Sequence, residues 1–311
     1  MFHIAGGLTV SGQPNTSSNS YTVAFIVILC TICGTLLALL ATGLKDKQDH
    51  AQELDRSKQL LIAARMFHRD GYFLMTQDGK NYIPAKMDKG IQLVPGSVND
   101  KATSEQITQL SQGRIKPLLV DIAGEAKTFA EAKVQMEEYL SANKKAGYAN
   151  LPLKLIYAVL PNKAQVSSSD KPESYIIPIN GRALWDSVYG YLAIENNGNT
   201  VIGTSWYKHA ETPGLGANIT EESWQSQFSG KVIFQPDVTG KTDFATAPIG
   251  LTVIKGKVKD IMGNNPKGMA CIDGMAGATL TGNGITKAYK DSLTPYKPFF
   301  LKLHAAHGGQ S

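Results

Sequence analysis

The sequence predicts an α+β protein in which a single N-terminal transmembrane helix precedes a soluble region built on a largely antiparallel sheet. Three observations carry that expectation. An uncharged apolar run occupies residues 21–44, β-rich runs separated by tight-turn chemistry fill the C-terminal half, and helix-start patterns recur in the soluble part. At 311 residues, the chain has room for an anchor plus one large or two modest cores.

Composition narrows the class. Charged residues make up 18% and apolar residues 42%, ordinary for a globular chain with one membrane segment and too polar for a polytopic transporter. The net charge of +5 is spread along the chain, without the dense basic block or aromatic-interleaved stripe that tracks a phosphate backbone, which argues against nucleic acid as a partner. Cys30 and Cys33 lie in the apolar run and Cys271 stands apart. The soluble part therefore has no intramolecular disulfide framework, and its redox compartment stays open.

Residues 1–20 are Gly/Ser/Asn-rich without Lys or Arg, the composition of a disordered tail. The run 21–44 matches the ~20 residues that cross a hydrocarbon core. It is too long for a signal-peptide core and no basic segment precedes it, so it reads as an uncleaved anchor. Lys45, Lys47, Arg56 and Lys58 follow, and by the positive-inside rule they favour a cytoplasmic C-terminal region. Gln52 to Met66 suits a short juxtamembrane helix, opening a first soluble subdomain over residues 45–170. Within it, 72–125 reads as small strands and loops, Thr128-Phe-Ala-Glu131 caps a helix to Leu140, and Leu153 to Leu160 forms a strand. Ser167 to Pro172 marks the expected boundary.

The second subdomain, 171–300, holds strand-like runs at Tyr175–Ile179, Trp185–Ile194, Thr200–Tyr207, Lys231–Gln235 and Gly250–Lys255. A helix is expected to start around Asn283 and to end before Pro295. Residues 301–311 read as a tail in which His304 and His307 are solvated.

The chemistry concentrates in Asp273-Gly-Met-Ala-Gly-Ala-Thr-Leu-Thr-Gly-Asn-Gly284. A small-residue turn before a helix lets backbone N–H groups approach an anion. By spacing alone, a Gly-rich turn that merely caps the helix is the commoner outcome. The absence of a phosphate-loop Lys and of a third dinucleotide-binding Gly argues against nucleoside triphosphates. His209-x-Glu211 supplies two potential metal ligands, too few to close a site. Cys30-x-x-Cys33 falls short of the four ligands of an iron–sulfur cluster. No metal site and no catalytic residue is assigned. Trp185, Trp206 and Trp224 are, as a class, more often core residues than cofactor platforms.

Asp273-x-x-Ala-Gly-Ala-Thr279 resembles the flavinylation signature Asp-x-x-(Ser/Thr)-Gly-Ala-(Thr/Ser) of the FMN-binding domain family, found in sodium-translocating NADH:quinone reductases and their Rnf relatives; Ala276 stands where that family usually has Ser or Thr. His209-Ala-Glu-Thr-Pro-Gly-Leu-Gly216 is similar to the family's flavin-lining loop, and Gly181-Arg-Ala-Leu-Trp-Asp-Ser-Val-Tyr-Gly190 to its Gly-x-x-Leu-Trp strand. The three lie in the family's order over roughly 175–290. The anchor and Glu53-Leu-Asp-Arg-Ser-Lys-Gln-Leu beyond it look more like the C subunit of the reductase (Nqr) than the shorter G subunit of Rnf.

The resemblance implies a phosphoester from Thr279 to FMN, flanked by Gly277, Ala278, Leu280 and Thr281. It implies further flavin contacts from Leu184, Trp185, Glu211, Thr212, Pro213, Gly214 and Leu215. It also implies an electron-transfer component of a bacterial inner-membrane complex, whose partners are the other subunits, with a periplasmic flavin domain set against the positive-inside count. The complex as a whole takes NADH and ubiquinone, while this chain has no NADH site of its own. A Thr hydroxyl is a poor nucleophile without a nearby base, and no Ser/His/Asp constellation adjoins Thr279, so attachment needs a separate flavin transferase. The alternatives are an Rnf-type G subunit, or a membrane-anchored assembly protein that has lost the cofactor.

Overall fold

The structure, a computed structural model, describes residues 19–79, 81–167 and 170–308. The expected N-terminal tail, apart from Asn19 and Ser20, lies outside the described residues, as do Ser168 and Ser169 of the expected boundary and residues 309–311. The chain forms two units, residues 1–52 and 53–311.

In the first unit the apolar run is helical. Helix α1 (Asn19–Ala63) is 45 residues long, and its Asn19–Lys45 portion of 27 residues is long and apolar enough to cross a membrane. At about 1.5 Å per residue that portion spans roughly 40 Å. Thr31 and Thr42 donate their hydroxyls back to the carbonyls of Val27 and Ala38, which satisfies both donors inside the helix. The anchor and the juxtamembrane helix are one element, because no Gly or Pro after Gly43 interrupts it before Ala63.

In the second unit the end of α1 is amphipathic, with Leu60, Leu61 and Ala63 buried. An antiparallel sheet of β1 (Phe73–Thr76), β2 (Tyr82–Met87) and β3 (Leu93–Pro95) follows. The expected loops to residue 125 contain a helix, α2 (Ser104–Arg114). Thr103 and Gln106 form a reciprocal capping box, 3.3 and 3.0 Å, a signal visible in the sequence as Thr-x-x-Gln. Next come β4 (Ile115–Val120), β5 (Ala126–Lys127) and α3 (Met136–Asn143). Thr128 and Glu131 do make reciprocal cap bonds. The chain then turns through Lys133 with φ 55°, so the helix begins only at Met136 instead of running from Thr128 to Leu140.

The central sheet adds β6 (Lys154–Val159), β7 (Ser174–Arg182), β8 (Ser187–Glu195) and β9 (Val201–Lys208) in the order β5-β4-β6-β7-β8-β9, with every pairing antiparallel. β6 therefore pairs with β7 across the expected boundary near residue 170. The two expected subdomains therefore share one sheet, to which each supplies three of the six strands, with a separate core on each face. Strand alternation explains this: Leu155, Tyr157 and Val159 face a core with Leu61 and Leu110, while Ile156 and Ala158 face a core with Tyr289 and Phe300.

Beyond β9 lie α4 (Glu222–Gln225), β10 (Thr252–Val253), α5 (Val258–Met262), β11 (Cys271–Ile272), α6 (Thr279–Leu293) and α7 (Lys297–Ala306). The run Lys231–Gln235 makes only isolated bridges, Thr200 to Val232 and Phe234 to Ile249. β10 pairs in parallel with β11. The expected tail from residue 301 is the second half of α7, where His304 stacks on Phe244 at 3.7 Å.

The contact that places the C-terminal helix is between α6 and β7. A Cβ on Gly181 would lie 2.5 Å from the Ala288 Cβ, and one on Gly284 would lie 2.7 Å from the Arg182 carbonyl oxygen. Only glycine at both positions lets helix and strand backbones come this close.

Candidate functional site

The expected helix start at Asn283 is four residues late: Thr279 is the first residue of α6, and Ala278 precedes it as the N-cap. Ala278 has no side-chain acceptor, so the first-turn N–H groups of α6 receive no cap bond. The turn into the helix requires glycine. Gly277 has φ 73°, and a Cβ there would come within 2.9 Å of the Leu215 side chain.

Three separate segments meet at one buried carboxylate. Glu211, 4% exposed, accepts a hydrogen bond from the Trp185 backbone N–H at 3.0 Å and one from the Thr281 hydroxyl at 2.5 Å. Charge-assisted bonds of this kind offset the cost of burying the carboxylate. A Cβ on Gly216 would lie 2.6 Å from the same carboxylate and 2.5 Å from the Thr281 hydroxyl, so the 211–216 loop closes against α6 only with glycine there. The indole N–H of Trp185 donates to the Thr212 hydroxyl at 3.2 Å. The Thr212 carbonyl accepts from the N–H groups of Leu215 and Ala217, and Gly214 takes φ 75°, folding Thr212-Pro-Gly-Leu215 into a tight turn.

The two threonines at the start of α6 are thereby distinguished. Thr281 is 1% exposed and engaged with Glu211. Thr279 is exposed, and no side-chain hydrogen bond among the described residues engages it. The three segments joined by Glu211 carry exposed apolar side chains: Leu184 (42%), Trp185 (61%), Leu215 (42%) and Leu280 (61%). An apolar rim beside an open helix N-terminus suits a ligand with a flat body and an anionic group. The set fits FMN on these observations: the first turn of α6 would receive the phosphate, and the rim would face the ring.

Trp185 lies in the turn before β8, outside the strand expected for it. Trp206 and Trp224 are core residues, 1% and 5% exposed. Sequence reasoning missed the support behind the motif. Asp273 accepts the Val258 N–H at 2.7 Å through its carboxylate and the Trp224 indole N–H at 2.9 Å through its carbonyl, while its own N–H donates to the Gln227 side chain at 3.0 Å. The partners from 224 and 227 are more than forty residues away, and no local pattern announces them. His209 accepts the Glu211 N–H at 3.1 Å, so the pair orders the loop. Burial pushes the Cys271 thiol up despite the Lys231 ammonium nearby, which holds it in its unreactive form.

The fold and the site together define an FMN-binding domain protein with a membrane-length N-terminal helix, and residues 184–294 match the family model of the FMN-binding domain. The chain is 39% identical over 304 residues to the C subunit of the Na(+)-translocating NADH-quinone reductase of Chlamydia caviae, covering 94% of each chain. To that of Chlamydia trachomatis it is 40% identical over 287 residues, covering 89% of this chain and 90% of the relative. The crystal structure of the C subunit from Parabacteroides distasonis, 20% identical, shares the fold with a TM-score of 0.51 over 83% of this chain and 96% of that one. The chain belongs to the family formed by the C subunits of the sodium-translocating NADH-quinone reductases.

Replacing Glu211 by Gln leaves one oxygen for two donors and sets an NH2 group against the other. The expected loss is about 1.5–3 kcal/mol of stability, read by denaturant unfolding of the detergent-solubilised chain. Thr281→Val should lose a comparable amount, and the double variant should lose less than the sum. Additive losses would show that the two side chains act independently.

Proposed function

We propose that this chain is the electron-transfer C subunit of a sodium-translocating NADH:quinone reductase and carries FMN in a phosphoester bond to Thr279. The observation that supports it best is the contrast between the exposed, unengaged Thr279 hydroxyl at the first position of α6 and the buried Thr281 hydroxyl held by Glu211. An acceptor hydroxyl must be reachable by a modifying enzyme, and of the two only Thr279 is. FMN bound there would supply one-electron transfer between the redox centres of partner subunits. The residues of this chain do the holding: the first-turn N–H groups of α6 face the phosphate charge, Glu211 locks the loop and the helix together, and Leu184, Trp185, Leu215 and Leu280 offer the apolar rim.

Among the described residues no side-chain hydrogen bond brings a base to Thr279, and the buried Glu211 carboxylate is committed to Thr281 and Trp185. Attachment is therefore the work of a separate flavin transferase that takes FAD as donor, the Thr279 oxygen forming the new P–O bond as AMP leaves. Ala276 is exposed, and its departure from the family pattern removes a side-chain hydrogen bond near the phosphate while the acceptor hydroxyl of Thr279 is kept. That favours the flavoprotein over a cofactor-less assembly protein.

Co-expressed with a flavin transferase, the wild-type chain should give an in-gel flavin fluorescence band after denaturation. Thr279→Ala should abolish the band, and Thr281→Val should keep it at reduced intensity. A band that persists in Thr279→Ala would move the attachment elsewhere. The flavin domain is proposed to lie on the periplasmic side of a bacterial inner membrane, with partner subunits fixing the orientation against the small basic excess after the anchor. C-terminal reporter fusions should then be active only when the reporter works outside the cytoplasm, and the opposite pattern would reverse the topology.

A further inference from the structure

A cleft of about 290 Å³ opens where the end of α1, the β1–β2 hairpin, β9 and α4 meet. None of its lining residues belongs to the flavin site. Its walls carry two guanidinium groups, Arg65 and Arg69, the rings of His68, Tyr72 and Tyr82, and one carboxylate, Glu222.

Arg65 is held in place at a cost. Its backbone has φ 53°, the left-handed region that an L side chain with a Cβ enters only against strain of about 1–2 kcal/mol. Its stem lies on Gly203, where a Cβ would come within 3.0 Å of the Arg65 Cγ and 2.7 Å of the Ala63 carbonyl oxygen. Its guanidinium sits 4.5 Å from the centre of the Tyr82 ring. Arg69 donates to the Gln225 side-chain oxygen at 2.7 Å, and burial pulls its guanidinium down although Glu222 and Glu221 act in the other direction. His68 lies 2.9 Å from the Glu222 carboxylate and stacks on Tyr72 at 4.5 Å. Among the described residues, the ion pairs engage His68, Arg114 and four lysines but neither Arg65 nor Arg69.

We infer that this cleft binds a small molecule with a phosphate monoester head on a flat apolar body. Guanidinium forks match phosphate oxygens in geometry. A phosphate head offers oxygens to both guanidinium forks at once, whereas a monocarboxylate has only two oxygens and fills one fork. Ile62, Leu74, Pro84 and Ile202 line the same cleft and give an apolar body its walls. The volume sits near the ~300 Å³ lower end of small-molecule sites, which suits a single-ring compound. The cleft also touches the flavin-site scaffold through α4: Gln225 holds Arg69, and its neighbour Trp224 holds the Asp273 carbonyl.

Isothermal titration of the full chain in detergent with phenyl phosphate, benzoate and inorganic phosphate tests this. Phenyl phosphate should bind saturably, at least about tenfold tighter than benzoate or inorganic phosphate. Arg69→Gln and Arg65→Asn should each weaken it at least about tenfold; Asn tolerates the left-handed backbone, so the second variant should keep its fold. Lys116→Gln, an exposed lysine outside the cleft, should bind as the wild type does. No saturable binding, equal affinity for benzoate, equal affinity for inorganic phosphate, or undiminished binding in Arg69→Gln would each overturn the inference.

Discussion

The close approach of α6 to β7 is the constraint on which the functional end of the molecule depends. Gly181 and Ala288 touch at a distance that excludes any side chain on the strand, and Gly284 meets the Arg182 carbonyl in the same way. With helix and strand backbones in contact, the first turn of α6 is delivered beside the Leu184–Trp185 turn that leads out of β7. Burial of Ile285, Tyr289 and Leu293 against the sheet keeps it there. Tyr289 adds a 2.8 Å bond between its hydroxyl and that of Thr204 on β9, so the helix is also tied across the sheet.

Glu211 converts that placement into a site. A carboxylate buried at 4% exposure is tolerated because it accepts bonds from both the turn and the helix. It fixes Thr281 and by doing so leaves Thr279 as the reachable hydroxyl. The sequence places two threonines two residues apart, and the helix turns them to different surroundings: one into the interior, one to the rim. The uncapped N-terminus at Ala278 then has free donors where an ester phosphate would lie.

Much of this is legible from residues. The anchor, the antiparallel strands and the three motifs appear in the sequence because each is a local pattern: an uncharged run, period-two alternation with turns, and glycine-rich signatures. Local patterns also mislead. Thr128 and Glu131 form their capping box but the chain turns away at Lys133, whereas the equivalent Thr103 and Gln106, set among strand-like runs, do start a helix. The small residues of 273–284 disguise the first turn of α6, whose start at Thr279 rests on packing against β7. The apparent boundary near residue 170 falls between neighbouring strands, and only pairing across it shows the two halves to share one sheet. The bonds from Trp224 and Gln227 to Asp273, like the left-handed Arg65 resting on Gly203, join distant segments and have no local signature.

The central claim is that Thr279 carries FMN through a phosphoester. Peptide mass spectrometry of the chain isolated from its native membrane tests it most directly. The account predicts that the peptide containing Thr279 carries the mass of FMN less one water, with fragmentation placing the addition on Thr279. A Thr279 peptide recovered wholly unmodified, or an addition placed on Thr281, would contradict it.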